Sequence, residues 1–312
     1  MQTDAIVFER PGTLDVRRVS LSRPGEGDVV AETLFSGIST GTEKLLYEGA
    51  MPSFPGMGYP LVPGYESVAR VIEAGPASGR RVGETIFVPG ASCYTDAAGL
   101  FGANAARLVV AGARTVPVDP QIAEEATLLA LAATAHNAVS RARQVPGLVI
   151  GHGVVGRLAA RIITAQGHEP PTVWETASER RDSGGLYPVI DPSEDVSGRY
   201  AAAIEASGNM AALDTAIARL GKGGEVVLAG FYGERVSFGF VPAFMREISV
   251  SIAAEFRPAD IQAVLRLIEA QRLSLAGLIT HHAAPQQAQT AYRTAFTDRS
   301  CLKMVIDWRN AA

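Results

Sequence analysis

The chain has 312 residues, 47% hydrophobic and 19% charged, which is enough for two domains of ordinary size, each with its own core. A net charge of −4 gives no electrostatic footing for nucleic acid. Two cysteines, Cys93 and Cys301, exclude a disulfide scaffold and a four-cysteine zinc lobe.

The N-terminus, Met1-Gln2-Thr3-Asp4, has no basic and apolar leader, and the apolar stretch 126–139 is too short and too polar to span a bilayer. A cytoplasmic protein without an integral membrane segment is expected. Short β-branched runs at 5–8, 14–19, 29–34, 67–73, 85–88 and 106–110, punctuated by Gly and Pro, predict a small barrel or sandwich with long loops. Residues 121–142 are Ala- and Leu-rich, with Glu124 and Glu125 in the first turn, and predict one helix.

From 147 onward the pattern alternates. Strands are predicted at 147–151, 171–175, 201–206, 224–230 and 248–253, and helices at 154–167, 210–220 and 258–271. That alternation implies a doubly wound parallel sheet. The tail, with a strand-like piece at 278–280, a helix near 285–296 and a strand at 303–308, is expected to return to the first domain. The fold class is therefore α/β, with a β-rich domain over 1–120 and 272–312 and a nucleotide-type domain over 121–271.

The most informative stretch is Gly151-His152-Gly153-Val154-Val155-Gly156, entered by a strand and left by an amphipathic helix. Gly151 permits the tight turn, Gly153 lets a pyrophosphate approach the backbone, and Gly156 lets helix and strand pack closely. The helix N-terminus offers N–H groups and partial positive charge to phosphates. Glu175 ends the next apolar stretch, 19 residues after Gly156, where a carboxylate accepts ribose hydroxyls. His152 either donates to a phosphate or is merely tolerated in the turn. Arg180 and Arg181 are candidates to stack on adenine or to meet a 2′-phosphate, but Glu175 would repel that phosphate, which favours NAD over NADP. Ligands in such sheets sit at the carboxyl ends of strands, which singles out Ala206-Ser207 and Ala229-Gly230 as further cofactor-facing loops.

Segments 36–43 (Ser-Gly-Ile-Ser-Thr-Gly-Thr-Glu), 63–66 (Pro-Gly-Tyr-Glu), the 151–156 turn and 223–230 (Gly-Gly-Glu-Val-Val-Leu-Ala-Gly) resemble the medium-chain dehydrogenase/reductase superfamily. The resemblance covers the whole chain and implies a GroES-like catalytic domain with an inserted Rossmann domain. Longer stretches at 37–46, 51–66, 88–96 and 229–232 are similar to its bacteriochlorophyll-synthesis branch. That implies NAD-dependent oxidation of the 3-(1-hydroxyethyl) group of a tetrapyrrole, a (bacterio)chlorophyllide, to 3-acetyl, with hydride accepted in the cleft between domains. The competing readings are a zinc-free quinone or enone reductase using NAD(P)H, and a non-catalytic pigment- or dinucleotide-binding protein. Homodimerisation is an expectation by analogy alone.

Zinc-using relatives supply three metal ligands, and the resemblance aligns those positions with Ser39 or Thr40, with Tyr65 in the pair Tyr65-Glu66, and with Ala130. Alanine cannot donate and hydroxyls are poor zinc ligands at neutral pH, so no metal is expected. Hydrogen bonds must then hold the alcohol oxygen. Tyr65 either points at that oxygen or fills the vacated metal space. Glu66 is either structural or a general base. Thr42 matches a hydroxyl relay position, or is a turn hydroxyl. Ser39 and Thr40 are donors or loop caps. Glu43 and Lys44 read as a solvated pair. Thr134 matches a position facing the nicotinamide, or back-bonds to its own helix. His136 reads as a polar spot on a core-facing helix. The loop 47–63, with Tyr47, Met51, Phe54, Met57 and Tyr59, either walls a flat pocket or packs locally.

Overall fold

The computed structural model describes residues 1–53, 55–232 and 235–310; Phe54 of the apolar loop lies outside them. The chain divides into two units, Met1–Leu129 with Ala276–Ala312, and Ala130–Leu275.

In the first unit β1 (Gln2–Arg10) and β2 (Thr13–Ser20) form an antiparallel hairpin. β3 (Asp28–Ile38) is followed by α1 (Thr42–Glu48), then by β4 (Ser67–Ala74), β5 (Thr85–Val88), β6 (Arg107–Ala111) and β7 (Val116–Pro117). β3 is the hub of this sheet: β4, β6 and a C-terminal strand all pair with it. Its Val29, Val30 and Ala31 are buried among Val7, Val71, Ile86 and Leu108. Each large aliphatic side chain so buried contributes about 1.5–3 kcal/mol.

The single helix predicted over 121–142 is broken. Tight 3₁₀ turns at Pro120–Ile122 and Glu125–Leu128 precede α2 (Leu129–Arg141). Asp119 caps the first turn by accepting from the Gln121 N–H, and the Thr127 hydroxyl donates to the Glu124 carbonyl, so local bonds compete with a continuous helical ladder.

The second unit follows the predicted alternation. Its strands are β8 (Leu148–Ile150), β9 (Thr172–Trp174), β10 (Val189–Ile190), β11 (Tyr200–Glu205), β12 (Leu220–Leu228) and β13 (Ser249–Ile252). Its further helices are α3 (Val154–Ala165), α4 (Met210–Arg219), α5 (Phe240–Arg246) and α6 (Pro258–Glu269). The sheet is parallel, in the order β10-β9-β8-β11-β12-β13, with its order reversing beside β8, where such folds bind dinucleotides. α3 buries Leu158, Ala159, Ile162 and Ile163, as their helical spacing requires. The predicted patterns miss β10, which has two residues, and α5, whose apolar residues are exposed.

The chain then returns to the first unit with β14 (His281–Ala283), α7 (Ala288–Thr297) and β15 (Met304–Asp307). β15 pairs antiparallel with β3, from Met304 opposite Ile38 to Asp307 opposite Phe35.

Candidate active site

In the first unit the end of β3 and the start of β4 lie together, because the Gly37 N–H donates to the Glu66 carbonyl at 2.9 Å. This brings Ser39 to Tyr65, and their hydroxyls are 2.6 Å apart. Thr42, the first residue of α1, lies near enough to the phenol to lower its pKa slightly against the effect of burial. Burial, and then the charge of Glu66, push the Tyr65 phenol well above its ordinary value. At neutral pH it is a donor rather than a phenolate base. Thr40 is exposed and has no part in this hydroxyl cluster, so the two candidates 39 and 40 separate.

Glu66 is fully buried and ion-paired to Lys303, a residue the sequence reading did not single out. Lys303 also donates to the Ile38 carbonyl at 3.0 Å. Burial raises the Glu66 carboxyl and Lys303 counteracts part of that. A Cβ at position 37 would meet the Glu66 carboxylate, and would stand 2.7 Å from Lys303 Cε, so Gly37 leaves the room this pair needs. Glu66 is thus held through Oε2 by Lys303, while its buried Oε1 has no hydrogen-bond partner among the described residues.

Glu43 corrects the expectation of a solvated pair with Lys44. It is completely buried, while Lys44 lies 3.9 Å from Glu48. Glu43 accepts from the Ser39 N–H at 3.3 Å and bonds the Tyr292 hydroxyl at 2.6 Å, and Asn104 donates to that same hydroxyl. Desolvation pushes the Glu43 carboxyl up to about 8. Neither Tyr292 on α7 nor Lys303 has a local sequence signal, since their partners lie more than 200 residues away.

In the second unit the glycine turn fits a dinucleotide. Gly151 has φ +92°, and a Cβ there would lie 2.8 Å from the backbone of Ser207. A Cβ on Gly156 would collide with the Gly151 carbonyl, whereas nothing lies within 4 Å of the corresponding point at Gly153. The backbone at Gly153, Val154 and Val155 is thus open to a phosphate at the head of a 12-residue helix that no side chain caps. Glu175, just beyond β9, accepts from the His152 N–H at 3.1 Å and the Ala177 N–H at 2.9 Å.

Of the two alternatives for His152, the ring's own hydrogen bonds favour the one in which it is accommodated within the turn. His152 is buried, with Nδ1 2.6 Å from the Arg180 carbonyl and Nε2 3.0 Å from the Tyr187 hydroxyl. The carbonyl can only accept, so Nδ1 carries the proton and Nε2 accepts from Tyr187. Burial lowers this imidazole to about 4, so it is neutral near pH 7. Arg157 donates to the carbonyls of His152, Arg180 and Asp182, fastening the segment that follows Glu175 to the glycine turn. Arg181 is tied to Asp191 at 2.6 Å and to the Glu175 carbonyl.

Ser207, Ala229 and Gly230 all bond one residue, Glu205, also missed from sequence, whereas the Ala206 N–H donates to the Ile150 carbonyl at 2.9 Å. The Glu205 carboxylate accepts from the Ser207 and Gly208 N–H groups and bonds the Ser207 and Tyr232 hydroxyls. Its backbone carbonyl accepts from Ala229 and Gly230. A charged residue ending the apolar run Ala-Ala-Ala-Ile was the available signal. Thr134 donates to the Ala130 carbonyl at 2.9 Å, the back-bonded alternative, and His136 pairs with Asp260 on α6 at 2.8 Å.

The donor chemistry does not suit a catalytic zinc. The aligned ligand positions carry hydroxyls already bonded to one another and a buried alanine methyl. Among the described residues no three or more His, Cys, Asp or Glu gather as a metal site.

No family model matches the chain. The structure resembles 2R,3R-butanediol dehydrogenase from Bacillus subtilis, with a TM-score of 0.83 over 98% of this chain and 99% of that one at 19% identity. It matches equally an alcohol dehydrogenase from E. coli CFT073 complexed with NADH, with a TM-score of 0.83 over the same shares at 20% identity. The fold is thus that of the medium-chain alcohol dehydrogenases, a GroES-like unit with a Rossmann unit. Two curated proteins carry the match further. The 2-desacetyl-2-hydroxyethyl bacteriochlorophyllide A dehydrogenases of Cereibacter sphaeroides and Rhodobacter capsulatus are 52% and 50% identical, over 100% of this chain and of each relative. The chain belongs to that dehydrogenase family.

Proposed function

We propose that this protein oxidises the 3-(1-hydroxyethyl) group of a (bacterio)chlorophyllide to 3-acetyl, using NAD and no catalytic zinc, in bacteriochlorophyll synthesis. The observation that carries the reading is the Ser39–Tyr65 hydroxyl pair, with Thr42 beside it, at positions where zinc relatives keep metal ligands. The names of the two relatives at about half identity supply the substrate class.

NAD, held by the 151–156 turn and Glu175, supplies a hydride acceptor when bound. The chain's own residues handle the oxygen. Tyr65, kept protonated by burial, would hold the carbinol oxygen by a hydrogen bond, and the alcohol proton would leave to bulk water by exchange along the Tyr65 and Ser39 hydroxyls, each giving up one proton as it takes another. Glu66 and Lys303 fix the backbone that carries Tyr65, and Glu43 fixes that of Ser39. Without a Lewis acid less help reaches the oxygen. A carbinol carbon attached directly to a conjugated macrocycle compensates, because positive charge developing there delocalises into the ring. The carboxylate of Glu175 supports NAD over NADP by like-charge repulsion of a 2′-phosphate.

No helix among the described residues is long and apolar enough to cross a membrane, which supports a cytoplasmic site of action. The exposed Phe240, Val241, Phe244 and Met245 on α5, beside the edge strand β13 with Ile252, support a homodimer formed at that edge.

The test is an anaerobic assay with 3-hydroxyethyl chlorophyllide and NAD, following the red shift that an acetyl group conjugated to the ring produces, with and without a chelator. A shift that requires NAD and survives chelation is expected. A reaction that stops on chelation sinks the metal-free mechanism. Absence of any shift, with turnover of an enone by NADPH instead, replaces the reading with a reductase.

A further inference from the structure

Segments 60–64 and 98–104 run side by side in the first unit. The Ala98 N–H donates to the Pro60 carbonyl at 2.8 Å, Val62 to Ala98 at 2.8 Å, and Ala103 to Gly64 at 2.8 Å. The pairing delivers Phe101 to Tyr65: the ring centroids are 5.1 Å apart, with planes at 63° in an edge-to-face contact. Leu100, one residue earlier, packs instead on the core of Leu61, Met304 and Tyr292.

Phe101 occupies this position at a conformational cost. Its φ is +67°, in the left-handed region where a bulky L-residue is an outlier and glycine is at ease. Gly102, next in the chain, has φ +63°. The Phe101 carbonyl is held by the Ala91 N–H at 2.5 Å, and a Cβ on Gly90 would come within 2.6 Å of the same oxygen, so the surroundings enforce the bend. A glycine at 101 would relieve the strain and lose only the ring. Strained residues kept in place this way mark functional sites.

We propose that Phe101 is a specificity-determining residue, its half-buried ring forming with Tyr65 the aromatic wall on which the tetrapyrrole macrocycle lies. The inference rests on the pigment-oxidising function proposed above. The reacting carbinol carbon is bonded directly to the macrocycle. Any group that touches the carbinol oxygen therefore has the edge of the macrocycle within a few bonds, and the ring beside Tyr65 meets it. Phe101 presents a π surface suited to offset or edge-to-face contact with a planar conjugated system. A small aliphatic alcohol would gain nothing from it.

The experiment compares wild type with Phe101→Gly and Phe101→Tyr, by initial rates with 3-hydroxyethyl chlorophyllide and NAD varied independently, alongside thermal unfolding. Phe101→Gly is expected to melt no lower than wild type, to raise KM for the pigment at least tenfold, and to leave KM for NAD within twofold. Phe101→Tyr is expected to recover pigment KM to within about threefold. A folded Phe101→Gly enzyme with unchanged pigment KM overturns the proposal, as does a variant that only melts lower. If the wild type does not turn the pigment over, the functional reading fails separately, and pigment binding followed by tryptophan quenching decides this inference. Weaker binding by Phe101→Gly upholds the wall, and equal or absent binding in both proteins overturns it.

Discussion

Glu66 and Glu43 in the first unit find partners 237 and 249 residues away, at Lys303 and Tyr292, whereas Glu205 in the second is anchored by the N–H groups of residues 207 and 208. Glu175 is held by Ala177 and by the glycine turn. The two units thus use the same side chain for different work. The first seals carboxylates inside the domain, where they stiffen the loops carrying Ser39 and Tyr65. The second sets them at or just beyond strand ends, where main-chain donors close by in sequence hold them. A pair of distant side chains fails when one partner goes, while main-chain donors remain whatever the neighbouring side chain is.

The largest expected effect breaks the sealed arrangement. Lys303→Met strands the Glu66 charge and should lower stability by about 3–5 kcal/mol. Urea denaturation measures it, and Lys303→Met combined with Glu66→Gln should recover most of the loss; no recovery would falsify the pairing as the cause. Next, Tyr65→Phe keeps the ring on Phe101 but removes the donor. Its kcat/KM should fall about a hundredfold, within the range for a positioned proton-transfer group, with NADH fluorescence binding unchanged. Equal activity in the variant would leave Tyr65 as space-filling.

In the second unit, Glu175→Ala should weaken NAD binding by about 1.5 kcal/mol, the low end for a hydrogen bond to a charged group, and narrow the preference over NADP. Competing initial-rate measurements with both cofactors decide it, and an undiminished preference would move the discrimination elsewhere. The last effect is one of pH. Glu43 has a value near 8 in the fold against an ordinary 4.5, so between those values the folded protein holds a proton that the unfolded chain releases. Its contribution is full below pH 4.5 and is lost as pH rises through 8, with a slope of at most about 1.4 kcal/mol per pH unit. Glu43→Gln should flatten that decline in unfolding free energy between pH 6 and 9, and an unaltered slope would assign the decline to another group.

The comparison also explains what could be read in advance. The strand, glycine turn and helix around 151–156 were legible, because they follow one another in the chain. Helix 121–142 was misjudged because Asp119 and Thr127 divert its first turns into local bonds. The role of the His152 ring was left open because its partners, Arg180 and Tyr187, reach it only through folding. Glu43 reads as surface in Thr-Glu-Lys, and becomes interior only when α7 closes over it.

The sequence by itself determined the division into two units and the parallel sheet with its glycine turn, since each follows from local periodicity or from a resemblance carried by contiguous motifs. Tertiary structure alone decided that Tyr65 meets Ser39 and Phe101, that Lys303 neutralises Glu66, and that Glu43 holds its proton. Those facts depend on which distant segments exclude water from one another, and desolvation is a property of the assembled fold that no window of the chain contains.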